Sequence, residues 1–217
     1  MTSRTRTAAA AGAAAALAAS LAFAAPAAQA ATPQCGTGCA SLYNLIYGTS
    51  DVMAVAGAQG TNANTGQPVA LLPASGSNQG EDWALFAEGT VSDFYAAGIV
   101  SAQLNFHYAN DEVYEYDYVP YGVDSGLCLG VAGTAGNGAP VSLQPCGVDA
   151  QTLWVADTAD QYRRQIPLIN GTDNNFSYPY VLTANSTGIT MSTHMLTGGN
   201  GVIDQGQYWS TIYGVLP

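Results

Sequence analysis

The chain has 217 residues, with fifteen acidic and four basic side chains, a formal charge of −11, and only 9% of its residues charged. Its cations are Arg4, Arg6, Arg163 and Arg164; there is no lysine. This balance argues against nucleic acid or an anionic membrane as a partner, because neutralising phosphates needs clustered Lys and Arg. Thirteen Tyr and three Trp supply apolar burial that disordered chains lack, and the length suits one domain with a real core.

Residues 1–30 read as a cleaved secretory signal peptide. Arg4 and Arg6 give a short positive start, sixteen of the thirty residues are alanine, and Ala28-Gln29-Ala30 is a small-x-small cleavage site. Cleavage before Ala31 leaves two arginines against fifteen acids, a formal charge of −13. The expected location is secreted and extracellular, where disulfides form. Four cysteines, Cys35, Cys39, Cys128 and Cys146, then read as two bridges, with three pairings open. Zinc would need two further ligands near each pair, and the only histidines are His107 and His194. No metal and no cofactor are expected.

No segment after residue 30 shows a helix period. Short apolar or alternating runs lie between Gly, Pro, Asn, Ser and Thr, the pattern of an all-β sandwich or barrel. Looking back from Trp83, Trp154 and Trp209 reveals an internal repeat. The first copy holds Val52–Val55, Pro68–Leu71 and Gln79–Trp83. The second holds Val123–Val131, Pro140–Cys146 and Gln151–Trp154. The third holds Tyr180–Thr183, Ile189–Met191 and Gln205–Trp209. A further strand precedes each copy, roughly Leu42–Tyr47, Tyr114–Tyr121 and Gln165–Asn170. Four strands in each of three copies give twelve. Three such units can close a barrel around a pseudo-threefold axis, which removes exposed sheet edges. The three Trp are expected at equivalent core positions, with Val69/Leu71, Val141/Leu143 and Ile189/Met191 pointing inward.

The Ser-Gly-x-Cys-Leu-x-Val run at Ser125–Val131, Val-x-Leu-x-x-Cys at Val141–Cys146, and a Gln near each Trp resemble the ricin-type β-trefoil family. The strong match covers about 40 residues of the middle copy. The resemblance implies a β-trefoil of three four-stranded repeats, about 41–89, 113–159 and 160–217, with an insertion at about 90–112. It also implies a Cys128–Cys146 bridge, worth about 3 kcal/mol in the chain-entropy model. The local pairing adds Cys35–Cys39, which would staple an N-terminal segment, 31–40, ahead of the domain at 41–217.

Members of that family typically bind sugars. Each site is expected to hold an Asp just after the repeat's first Cys-x, an aromatic after the Val-x-Leu run, and an Asn-Gln pair near the Trp. Carried across, the Asp position reads Ala54, Gly130 and Leu182, and the aromatic position Leu72, Gln144 and Ser192. The amide pair survives as Asn78-Gln79, against Ala150-Gln151 and Asp204-Gln205. The residues carried forward as candidate carbohydrate contacts are Asn78, Gln79, Gln144, Gln151, Gln205 and Gln207.

A second feature is Tyr114-Glu115-Tyr116-Asp117-Tyr118. Alternation sets the three Tyr on one face and the two acids on the other, read as a half-buried strand with a solvated acidic face, or else as an aromatic sugar platform. Asp111, Glu112, Glu115 and Asp117 offer hard oxygen ligands, without the spacing of an EF-hand. No Gly-x-Ser-x-Gly elbow accompanies the histidines, so no catalytic residues and no enzyme activity are expected. The expected function is a secreted, non-catalytic, lectin-like carbohydrate-binding protein, acting as a monomer on a glycan or polysaccharide. The alternative is a secreted hydrolase inhibitor or binder of an extracellular protein on the same scaffold, using the 90–112 insertion as its loop.

Overall fold

The structure is a computed structural model. It describes residues 39–57, 62–75, 79–175, 177–186, 188–194 and 204–213. The predicted leader, Cys35 and Asn78 lie outside the described residues.

Twelve strands are found among the described residues, four per copy as expected. The first copy holds β1 (Ala40–Asn44), β2 (Gly48–Val55), β3 (Val69–Pro73) and β4 (Trp83–Thr90). The second holds β5 (Glu112–Tyr118), β6 (Leu127–Val131), β7 (Val141–Pro145) and β8 (Leu153–Ala156). The third holds β9 (Leu168–Asn170), β10 (Tyr180–Asn185), β11 (Gly188–Thr193) and β12 (Trp209–Tyr213). Strands β1, β4, β5, β8, β9 and β12 form a six-stranded barrel. It closes where Ile166 and Trp209 exchange backbone hydrogen bonds of 2.9 and 3.0 Å. The hairpins β2–β3, β6–β7 and β10–β11 cap one end. Bridges from Pro68 to Ser142 and from Pro140 to Thr190 tie them together.

The tryptophans define the symmetry. Each indole N–H donates to a backbone carbonyl of its own copy: Trp83 to Met53 at 3.0 Å, Trp154 to Leu129 at 2.9 Å, Trp209 to Leu182 at 2.8 Å. All three rings are buried, so each large apolar body fills the core while its polar atom is satisfied. Strand register extends the equivalence: Met53 pairs with Leu71, Leu129 with Leu143, and Leu182 with Met191. These inward residues are buried except Leu71, which is half-buried at the surface.

Opposite each Trp stands Asn44, Tyr118 or Asn170. The Asn44 amide donates to the carbonyls of Gly206 at 2.8 Å and Tyr208 at 3.1 Å. Asn170 does the same for Gln151 and Leu153. Tyr118 departs from the pattern: its ring packs on Trp83 with centroids 5.8 Å apart, and its buried hydroxyl has no hydrogen-bond partner among the described residues. Burial pushes that phenol up to about 12. Asn44→Ala would take the side-chain partner from the Gly206 carbonyl and from the Ile46 amide, while the Tyr208 carbonyl keeps Leu45 N, and a loss of about 2 kcal/mol is expected in denaturant unfolding.

Three expectations need correction. The insertion is helical: α1 (Val91–Ala96) and α2 (Ala102–Tyr108) occupy most of it. Thr90 and Asp93 form a reciprocal capping box on α1, and the Ser101 hydroxyl accepts from Leu104 N on α2. Val91, Phe94, Val100 and Leu104 then bury against Val113, Val155, Ile169 and Val181 in a second core. The acidic face of β5 is not solvated either. Glu115 is buried, and its Oε1 accepts from Thr152 Oγ1 at 2.6 Å and from the amides of Gly147 and Val148. The third correction is one of alignment. The indole–carbonyl bonds make Thr183, not Leu182, the partner of Ala54 and Gly130.

The Cys128–Cys146 disulfide is present, joining β6 to the end of β7 across 5.0 Å between Cα atoms. Cys39 is also disulfide-bonded; the predicted Cys35–Cys39 bridge falls on a residue outside those described.

Candidate functional site

The positions at which the family's sugar-binding Asp would stand are buried in all three copies. Ala54 is 0% and Thr183 6% exposed, and Gly130 is likewise buried. At Gly130 the obstruction is specific: a Cβ there would lie 2.8 Å from Gln144 Cγ and 2.9 Å from the Gln151 carbonyl oxygen. The Gln144 side chain therefore occupies the space in front of Gly130, with its Nε2 donating to Ser142 Oγ at 2.8 Å.

The candidate contacts are dispersed over the three copies. Gln79 opens a short 3-10 turn before Trp83. Gln144 is buried on β7. Gln151 is half-buried, and its carbonyl accepts from Val131 N and Asn170 Nδ2. Gln205 is exposed at the start of the turn before Trp209. Gln207 is buried, and its amide donates to Ser192 Oγ at 3.1 Å and to the Thr193 carbonyl at 3.0 Å.

Gln207 also belongs to a buried polar network that the sequence did not reveal. His194 is fully buried, with Nδ1 2.7 Å from Gln207 Oε1 and Nε2 2.6 Å from Asp160 Oδ2. The Tyr208 hydroxyl donates to the same Asp160 oxygen at 3.3 Å, and Asp157 Oδ1 accepts from Asp160 N. Burial raises the Asp157 carboxyl above its ordinary range. Both imidazole nitrogens are engaged, so neither is free to serve as a base toward a substrate. Asp157, Asp160 and His194 are close enough to share an ion. The direct Nε2–Oδ2 hydrogen bond, however, leaves no room for one between those two atoms. The other such group, Glu115 with Cys128 and Cys146, has its sulfurs in the disulfide.

A surface groove of about 500 Å³ lies between the hairpins of the first and third copies. Its wall carries Tyr47, Asp51, Leu71, Asn185 and Ser186. Tyr47 ends the turn from β1 to β2, which is anchored by Leu45 N to the Tyr208 carbonyl and by Ile46 N to Asn44 Oδ1. Its ring packs partly on the main core. Asn185 closes β10, and its amide donates to Thr190 Oγ1 at 3.1 Å. Gly206 sits between these two elements. It receives Asn44 Nδ2, and a Cβ on it would be 2.4 Å from the Ala184 carbonyl. Neither the Tyr47 hydroxyl nor the Asp51 carboxylate has a side-chain hydrogen bond among the described residues. The groove thus offers an aromatic face beside uncommitted donors and acceptors.

No protein-family model matches the chain, and no curated protein is similar to it. Solved structures are similar in fold. A designed threefold-symmetric protein, ThreeFoil, matches with a TM-score of 0.50 at 16% identity, over 81% of this chain and 98% of its own. A mosquitocidal holotoxin matches with a TM-score of 0.50 at 12% identity, over 80% of this chain but only 17% of the toxin's. The protein is a β-trefoil, with an all-β barrel, three capping hairpins and one bridge within the middle repeat. No helix among the described residues is long and apolar enough to cross a membrane.

Proposed function

We propose that this is a secreted, non-catalytic, lectin-like carbohydrate-binding protein of the ricin-type kind, which binds neutral glycans in the groove of Tyr47, Asp51 and Asn185. The observation that carries the reading is the half-buried Tyr47 ring beside an Asp carboxylate without a partner among the described residues, next to an amide and a hydroxyl. A sugar presents an apolar ring face and several hydroxyls, which such a wall would meet by stacking and by hydrogen bonds to Asp51 and Asn185. The acidity of the chain favours uncharged sugars over anionic polysaccharides. Gln205, an exposed member of the predicted set, stands on the 3-10 turn between the two walls.

The test is a glycan-array and insoluble-polysaccharide screen of residues 31–217, followed by titration of the best ligand. Tyr47→Ala is expected to weaken binding about tenfold, the loss of one stacking contact, and Asp51→Asn by a similar factor. A clean negative across neutral glycans would sink the reading. Binding unaffected by either substitution would move the site elsewhere. The inhibitor alternative has less support, because the 90–112 insertion folds down onto the barrel instead of projecting as a free loop.

A further inference from the structure

The described residues leave a recess at the end of the barrel away from the hairpin cap. It holds a cavity of about 170 Å³ on the pseudo-threefold axis, floored by Leu42, Tyr116 and Leu168, the same position in each copy. Leu85, Tyr114, Ile166 and Trp209 form its walls, and Ser210, Thr211 and Arg164 reach its edge. A cavity of about 150 Å³ is known to hold one benzene ring, so this one is sized for a single ring.

Arg164 sets the chemistry. Arg163 and Arg164 are the only two arginines among the described residues. Among the described residues no carboxylate lies within ion-pair distance of Arg164, although the chain is strongly acidic. Both sit in the left-handed region, at φ +50° and +68°, at the centre of a two-residue turn closed by reciprocal Tyr162–Gln165 hydrogen bonds of 2.9 Å. Asn-Gly is the favoured pair for such a turn, and a side chain other than glycine held there is a pointer to function. The two arginines diverge. The Arg163 guanidinium lies over the Tyr162 ring, 5.2 Å from its centroid, while Arg164 lines the cavity. Across the mouth, the Tyr114 hydroxyl already donates to Glu112, so the anion-accepting side is the Arg164 side.

We propose that the barrel mouth binds a small aromatic carboxylate. The ring enters between Tyr114, Tyr116 and Trp209, and the carboxylate meets the Arg164 guanidinium, beside Ser210 and Thr211. Arg–carboxylate pairing is charge-assisted and can be bidentate, which separates this ligand from a neutral ring of equal size. The site is independent of the sugar groove.

Benzoate and its neutral isostere benzamide are the probes, titrated against the whole chain by Trp fluorescence and by NMR of the Trp209 indole. Benzoate is expected to saturate and to bind at least about tenfold more tightly than benzamide, one good charge-assisted pair. Arg164→Gln should bring the two ligands to equal affinity, and Arg163→Gln should leave the preference intact. Leu85→Trp, which fills the wall, should abolish both. The proposal is overturned if benzoate does not saturate by about 10 mM, a limit corresponding to negligible affinity. Equal binding of the two probes would also overturn it, as would equal losses from the two arginine substitutions, which would mark a diffuse charge effect. Glycan binding at Tyr47 should be the same with and without benzoate, so the two readings fail separately.

Discussion

Gly130→Asp, which would restore the acidic residue of a ricin-type sugar site, is expected to destabilise the protein by about 4 kcal/mol or more and to confer no galactose binding. The new Cβ meets Gln144 Cγ at 2.8 Å and the Gln151 carbonyl oxygen at 2.9 Å. Gln144 is a long side chain and can move. The Gln151 carbonyl cannot move cheaply, because it accepts from Val131 N at 3.1 Å and Asn170 Nδ2 at 3.0 Å. Overpacking of this kind costs about 1–3 kcal/mol, and a buried carboxylate without a partner adds a comparable or larger penalty. Thermal unfolding should therefore drop by about 10 °C, at roughly 2–4 °C per kcal/mol for a chain of this size. Gly130→Ala should show the steric part alone. Gly130→Ala with Gln144→Ala should recover only some of it, since the contact with the Gln151 backbone remains. If Gly130→Asp melts within about 2 °C of the parent, the closure of this position is wrong.

That closure explains which parts of the molecule could be read in advance. The strands were legible because β-structure needs only alternation and turn residues, and the three Trp punctuate the chain at equivalent points. The Cys128–Cys146 bridge followed from the one copy that kept its Cys-Leu-x-Val and Val-x-Leu-x-x-Cys runs. The third copy, lacking cysteines, slipped by one place: Leu182 and Thr183 cannot be told apart until the Trp209 indole is seen on the Leu182 carbonyl. The helices of the insertion span six and seven residues. That is too short to show a period, although Thr90-x-x-Asp93 was a readable cap. Alternation put Glu115 outward correctly but could not foresee that the 147–152 segment would fold over it. The groove of Tyr47, Asp51 and Asn185 was invisible for another reason. Tyr47, Asp51 and Asn185 come from the first and third copies, and only barrel closure brings them together.

The protein is expected to be more stable near pH 5 than near pH 8 by about 2 kcal/mol, or about 4–8 °C in thermal unfolding. Asp82, Asp117 and Asp173 are each pushed up to about 6, in every case first by burial. Glu81 adds to the effect at Asp82, and Glu115, Asp124 and Glu88 add to it at Asp117. The amide of Tyr121 opposes it at Asp82, and that of Tyr180 at Asp173. In the unfolded chain these carboxyls titrate near 3.9. Between about pH 4 and pH 6 the folded state therefore holds protons that the unfolded state has released, and stability falls as pH rises through that window. Each two-unit shift would be worth about 3 kcal/mol over the whole window if unscreened, about half of it lost above pH 5, but Asp82 and Asp117 are only half-buried, and solvent screening reduces their share. Asp173, 1% exposed, carries most of the effect. The excess of fifteen acids over four bases acts in the same direction, since self-repulsion grows as the carboxyls ionise. Asp173→Asn keeps an oxygen for the Tyr180 amide and removes the charge. It should raise the melting temperature at pH 8, raise it about half as much at pH 5, where the unfolded Asp is already ionised, and flatten the profile between them. A profile that instead rises from pH 5 to pH 8, in the parent or in the variant, would show that the buried carboxylates are stabilised as anions by groups other than those facing them here.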